Sequence, residues 1–138
     1  MGRIVSIDPG KKRTGLAVTD PLQIIATGLT TVNTGELSAF LKKYTSENEV
    51  DIFVVGYPKN LDNTDTDSTE MVNHLLGRLK RDYPAVPRVK VDERFTSKMA
   101  KQTMLAGGLK RKDRQNKETV DMISATIILQ SYMDQQNS

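Results

Sequence analysis

Cysteine and tryptophan are absent from the 138 residues, and histidine occurs once. The lack of thiols excludes a disulfide framework, thiolate zinc and iron–sulfur ligation, and a cysteine nucleophile. The lone His74 has no second histidine to complete a metal motif, and its place beside Leu75 and Leu76 suits a structural or solvent-facing role. Carboxylates are therefore the richest source of metal ligands. No apolar run approaches the ~18 residues that span a bilayer, so no membrane partner is expected. Met1-Gly2-Arg3 leads straight into the run Ile4 to Ile7 without a cleavable signal, which predicts a cytoplasmic protein. Internal repeats and low-complexity tracts are also missing, and at this length one core can bury roughly two-thirds of the unfolded chain's surface. Residues 1–138 are expected to form a single domain.

What is present is charge, unevenly spread. Lys plus Arg number 20 against 17 Asp plus Glu, for a net charge of +3. Residues 98 to 117 hold Lys98, Lys101, Lys110, Arg111, Lys112, Arg114 and Lys117 against Asp113 alone, so this segment carries +6 and the rest of the chain −3. Such a patch points to a polyanionic partner, with a merely solvated charge run as the plainer alternative.

Arg3 to Asp8 forms a short β-rich run stopped by Pro9-Gly10, and Thr14 to Thr19 a second stopped by Asp20-Pro21, which predicts a hairpin. Ile24 to Val32 supplies a third strand. Thr34 reads as an N-cap, with Leu37, Phe40, Leu41 and Tyr44 on the buried face of a helix ending near Glu47. The apolar run Ile52-Phe53-Val54-Val55 suits a strand covered on both faces, so helices are expected on both sides of the sheet. Lys59 to Thr69 is polar and reads as a loop, after which Met71, Leu75, Leu76 and Leu79 mark a second helix ending before Pro84. Arg88 to Asp92 alternates as a strand. Thr96 can cap a third helix running to Gly107-Gly108, and Asn116 a last one with Val120, Ile123, Ile127 and Ile128 as apolar positions. The order βββαβαβαα predicts an α/β domain with a mixed five-stranded sheet.

Asp8 closes the first strand, Asp92 and Glu93 close the last, and Asp121 sits one turn inside an apolar helix. If the first and last strands lie near each other, Asp8 and Glu93 emerge from one edge and the final helix can bring Asp121 across. A carboxylate cluster without Cys or a second His is a hard oxygen site suited to Mg²⁺ or Mn²⁺. Two such ions can activate water and stabilise the leaving oxygen of a phosphodiester displacement. Each residue also has a plainer role: Asp8 can start a turn, Glu93 can pair with Arg94, and Asp121 can favour the positive end of its helix. Asp121 is the most telling, because Ser124 and Ala125 lie three and four positions on and allow close packing. Asp92 is a possible further ligand, although adjacent strand residues point to opposite faces. Tyr57 and Phe95 adjoin strand ends, where an aromatic can pack in the core or stack on a base.

The stretch Ile7-Asp8-Pro9-Gly10-Lys11-Lys12-Arg13-Thr14-Gly15-Leu16-Ala17 resembles the first motif of the RuvX/YqgF family of resolvases and pre-16S rRNA processing nucleases. Val54-Val55-Gly56-Tyr57-Pro58 with Asn60, Asp62 and Thr64 resembles its middle loop. Asp92-Glu93-Arg94-Phe95-Thr96-Ser97 resembles its acidic strand end, and Val120-Asp121-Met122-Ile123-Ser124-Ala125 with Ile128-Leu129 its last helix. Four motifs in order cover nearly the whole chain, with Tyr57 and Asn63 as departures in the middle loop. The resemblance implies a ribonuclease H-like fold, with Asp8, Glu93 and Asp121 at the acidic catalytic positions and Mg²⁺ or Mn²⁺ as the metal. The implied substrate is a structured nucleic acid, precursor rRNA, branched DNA or both, and the implied surroundings include the ribosome or its precursors. Lys11, Lys12, Arg13, Arg94, Lys110, Arg111, Lys112, Arg114 and Lys117 are the phosphate-binding candidates. The leading function is a metal-dependent endonuclease. The alternatives are a nucleic-acid-binding ribosome-maturation factor with little activity of its own and an ATP-binding actin-like protein, the latter disfavoured because 138 residues supply only one lobe. Oligomeric state is not encoded in these patterns.

Overall fold

In the computed structural model the described residues are 2–57, 67–92 and 117–136. They form a five-stranded sheet from β1 (Arg3–Asp8), β2 (Arg13–Thr19), β3 (Ala26–Asn33), β4 (Val50–Tyr57) and β5 (Arg88–Asp92), in the order β3-β2-β1-β4-β5. The Pro9-Gly10 stop turns β1 back into β2, and both β1–β2 and β2–β3 pair antiparallel. Helix α1 (Leu37–Glu47) then returns the chain so that β4 pairs with β1 in parallel, and α2 (Asp67–Asp82) returns it again to a parallel β5. The sheet is mixed, as expected, with β4 between β1 and β5. The C-terminal ends of β1, β4 and β5 therefore share one edge, the usual side for ligands in such sheets.

Strand alternation sends Val5, Ile7, Leu16, Val18, Phe53 and Val55 to one face, where Leu37 and Leu41 of α1 and Val72, Leu75 and Leu79 of α2 cover them. The other face carries Ile4, Ala17, Val54 and Val91 beneath α3 (Lys117–Gln136). Helices thus cover both faces. On α3 the buried stripe is Ala125, Ile128, Leu129, Tyr132 and Met133, whereas Val120, Ile123 and Ile127 are only half-buried. Among the described residues no helix is long and apolar enough to cross a membrane.

Three expected boundaries shift. Thr34 does not cap α1: residues Thr34–Glu36 form a 3-10 turn, and the Thr34 hydroxyl donates instead to Gly10 O at 2.6 Å. Helix α2 starts at Asp67, inside the stretch expected to be loop. Strand β3 starts at Ala26 because the Ile24 and Ile25 amides donate to the Asp20 carboxylate, at 2.8 Å each, rather than to the sheet. The expected third helix, with Thr96, Gly107 and Gly108, lies outside the described residues, as does Asn116.

Candidate active site

Along β1 the residues Ile4, Ser6 and Asp8 share the face covered by α3. Ile4 lies among Ile128, Leu129 and Tyr132, and the buried Ser6 hydroxyl donates to Ala125 O at 2.8 Å. Helix α3 therefore runs antiparallel to β1. Two residues further along the strand is a step of ~6.6 Å, and one turn back along the helix is ~6 Å. Those matched steps lead from Ser6 and Ala125 to Asp8 and Asp121. Positions 8 and 121, separated by most of the sequence, are thus brought to the same C-terminal edge of β1.

Small residues make the approach possible. Asp8 pairs across the ladder with Gly15, and a Cβ on Gly15 would run into the backbone carbonyl and side chain of Asp121. One strand further out, a Cβ on Gly28 would come within 2.7 Å of Met122 Cγ. Arg13, Gly15 and Ala17 occupy the α3 side of β2, so the helix rests on glycine and alanine there while Arg13 reaches up beside its first turns. The Arg13 Nε donates to Asp121 Oδ2 at 3.1 Å, with side chains 32% and 27% exposed. Asp8 is half-buried.

The turn carrying Lys11 and Lys12 is held by Thr34, which opens the 3-10 turn after β3. Thr34 N donates to Lys12 O at 2.9 Å. Because the single Thr34 hydroxyl proton goes to Gly10 O, the buried Thr14 hydroxyl donates to Thr34 Oγ1 at 3.0 Å. Lys11 and Lys12 themselves are exposed. The neighbourhood therefore combines two carboxylates, an arginine on one of them, and two surface lysines on a fixed turn.

Asp92 ends β5 with its backbone in register with Tyr57. Glu93, Arg94, Phe95, Lys110, Arg111, Lys112 and Arg114 lie outside the described residues, and of Lys117 only its backbone position at the start of α3 is described. Among the described residues no three Asp, Glu, His or Cys side chains come together. Tyr57 packs partly against the core, with Lys90 Nζ over one face of its ring, 5.2 Å from the centre. His74 is exposed on α2. Sequence reading did not identify Ser6, Gly15, Gly28 or Thr34 as shaping the site. Ser124 and Ala125 on the helix already pointed to close packing, and the alternation of Arg13, Gly15 and Ala17 in an otherwise bulky strand is the matching signal on the sheet side.

The family model RuvX, described as Holliday junction resolvase, matches residues 2–135. A protein of Phocaeicola vulgatus, whose name describes a pre-16S rRNA nuclease, is 54% identical over 134 residues, covering 97% of this chain and 96% of its own. A relative from Bacteroides fragilis with the same name is 52% identical over 134 residues, covering 97% of each chain. Among solved structures, T. thermophilus RuvC in complex with a Holliday junction substrate has a similar fold, with a TM-score of 0.57 at 19% identity and 96% of each chain covered.

Proposed function

Because the chain belongs to the RuvX family of Holliday junction resolvases, nucleases that act on phosphodiester bonds, we propose that it is a divalent-metal-dependent endonuclease whose substrate is precursor 16S rRNA. The observation that carries this reading is the convergence of Asp8 and Asp121 where α3 crosses the end of β1. Two carboxylates at one sheet edge, with no thiol in the chain and its one histidine exposed on α2, are a donor set for Mg²⁺ or Mn²⁺. Asp8 and Asp121 would hold the metal, with Glu93 as the third carboxylate. The likeness of Asp92-Glu93-Arg94-Phe95-Thr96-Ser97 to the family's acidic strand end supports Glu93 in that role. Divalent metal supplies electrophilic charge and an acidified water to the hydrolysis. The protein's own contribution is to fix the carboxylates on a strand end and a packed helix, and to offer Arg13, Lys11 and Lys12 to the phosphates. The name of the 54%-identical relative supports precursor rRNA as the polymer.

The test is cleavage of a precursor 16S rRNA fragment, a four-way DNA junction, and single- and double-stranded controls, each with Mg²⁺ and with Mn²⁺. Wild type is expected to cut the rRNA precursor. Asp8→Asn and Asp121→Asn are each expected to lower the rate by about a hundredfold or more while retaining the fold. Undiminished cleavage by either purified variant would remove that residue from the mechanism, and a preference for the junction would replace RNA by DNA as the substrate.

A further inference from the structure

Arg13 opens β2 with its backbone held against the end of β3 and the turn that follows it. It pairs with Asn33 in the β2–β3 ladder, and the preceding Lys12 carbonyl accepts from Thr34 N. Only its long side chain is free to rearrange. That side chain reaches Asp121 through Nε, one of five N–H groups on a planar guanidinium. Both partners are about one-third exposed, so the pair is open to water and ions, and such pairs are individually weak. A guanidinium on Asp121 also opposes a dication on the same carboxylate, because the two positive charges compete for one acceptor. The fork that fits a carboxylate fits a phosphate equally well. Lys11 and Lys12 stand exposed on the adjoining turn, where a phosphate backbone would run.

We propose that Arg13 is an exchangeable counter-ion of Asp121, neutralising the carboxylate until a divalent cation takes its place and then passing its charge to a phosphate of the substrate. This rests on the reading of Asp121 as a metal ligand. Arg13 keeps the site from holding unbalanced negative charge and links metal loading to the grip on the polyanion.

The experiment uses the full chain and two binding measurements. Mn²⁺ affinity is measured by calorimetry for wild type, Arg13→Gln, Arg13→Lys and Asp121→Asn. Affinity for a hairpin RNA with phosphorothioate linkages is measured against salt concentration, with Mg²⁺ or with EDTA. Removing the competing guanidinium should make Arg13→Gln bind Mn²⁺ roughly two- to fivefold more tightly, the scale of an exposed ion pair. With Mg²⁺ its salt slope should be flatter than wild type by about 0.7 to 0.9, whereas in EDTA the two slopes should coincide. Arg13→Lys should stay near wild type in both. A purely structural Arg13 would not tighten metal binding, so unchanged or weaker Mn²⁺ affinity in Arg13→Gln overturns the exchange. Equal flattening with and without metal does so too. If Asp121→Asn binds Mn²⁺ as well as wild type, Asp121 is not a ligand and the underlying reading fails with it. A weakened Asp121→Asn beside an unchanged Arg13→Gln leaves that reading standing and removes the exchange alone.

Discussion

Gly15 is the residue on which the site's geometry turns, because it lies across the ladder from Asp8 and directly under Asp121. A methyl group there meets a helix carbonyl, which cannot swing aside as a long side chain could. Gly15→Ala is therefore expected to lift the start of α3, costing about 1–3 kcal/mol in urea denaturation and separating the two carboxylates. Wild-type stability in that variant would show that α3 is seated less tightly over β2. At this scale the acids were legible, since Asp8 stood at a strand end and Asp121 inside an apolar helix beside Ser124 and Ala125. Their meeting was not. It depends on the crossing of α3, which the Ser6 hydroxyl fixes through Ala125 O, a pairing across 119 positions that no local pattern announces. The Arg13 partnership with Asp121 was hidden for the same reason, and the motif alone suggested only a phosphate contact for Arg13.

At the scale of elements, periodicity was a sound guide on α1 and less so on α3, where of the four expected apolar positions only Ile128 is fully buried. Phe40 and Tyr44 were expected on the inner side of α1, and they stack there at 6.1 Å between ring centres beside the buried Leu37 and Leu41. Periodicity misled where a polar side chain captured the backbone. Ile24 and Ile25 look like the start of a strand, yet the Asp20 carboxylate takes their amides and that of Leu22 at 3.1 Å, leaving Leu22, Ile24 and Ile25 exposed. Thr34 behaves similarly, spending its hydroxyl on the β1–β2 turn instead of on α1. The amides of Ile25, then Ile24, hold the Asp20 carboxyl below its ordinary value of 3.8. A lowered folded-state value means that this loop's stabilisation is complete above the unfolded-state value and is lost as pH falls through the folded one. The amide proton shifts of Leu22, Ile24 and Ile25 should therefore titrate together with a midpoint below 3.8. In Asp20→Asn that transition should vanish. A midpoint at or above the ordinary value would contradict the bonding described.

For the whole molecule the decisive feature is the separation of charge along the chain. Residues 98 to 117 carry +6 and the remainder −3, so the proposed acidic site and the basic segment are distinct parts of one sequence. The carboxylates need cations; the polyanion needs the lysines and arginines. Composition alone shows the uneven charge, and the placement of Lys110, Arg111, Lys112 and Arg114 lies outside the described residues. Phosphate contacts release condensed counterions, so each one lost flattens the logarithmic salt dependence of binding by about 0.7 to 0.9. Replacing those four residues by Ala should therefore weaken binding to all nucleic-acid sequences alike and reduce the slope by up to roughly 3.6. That reduction should be the same in Mg²⁺ and EDTA, in contrast to Arg13, because none of the four is assigned to a metal-binding carboxylate. Single-turnover cleavage at saturating protein should change less than affinity, since the grip is separable from the chemistry at Asp8 and Asp121. An unchanged salt slope would make the segment a solvated run and move the grip to Lys11, Lys12 and Arg13, on the turn that Thr34 holds beside the carboxylates.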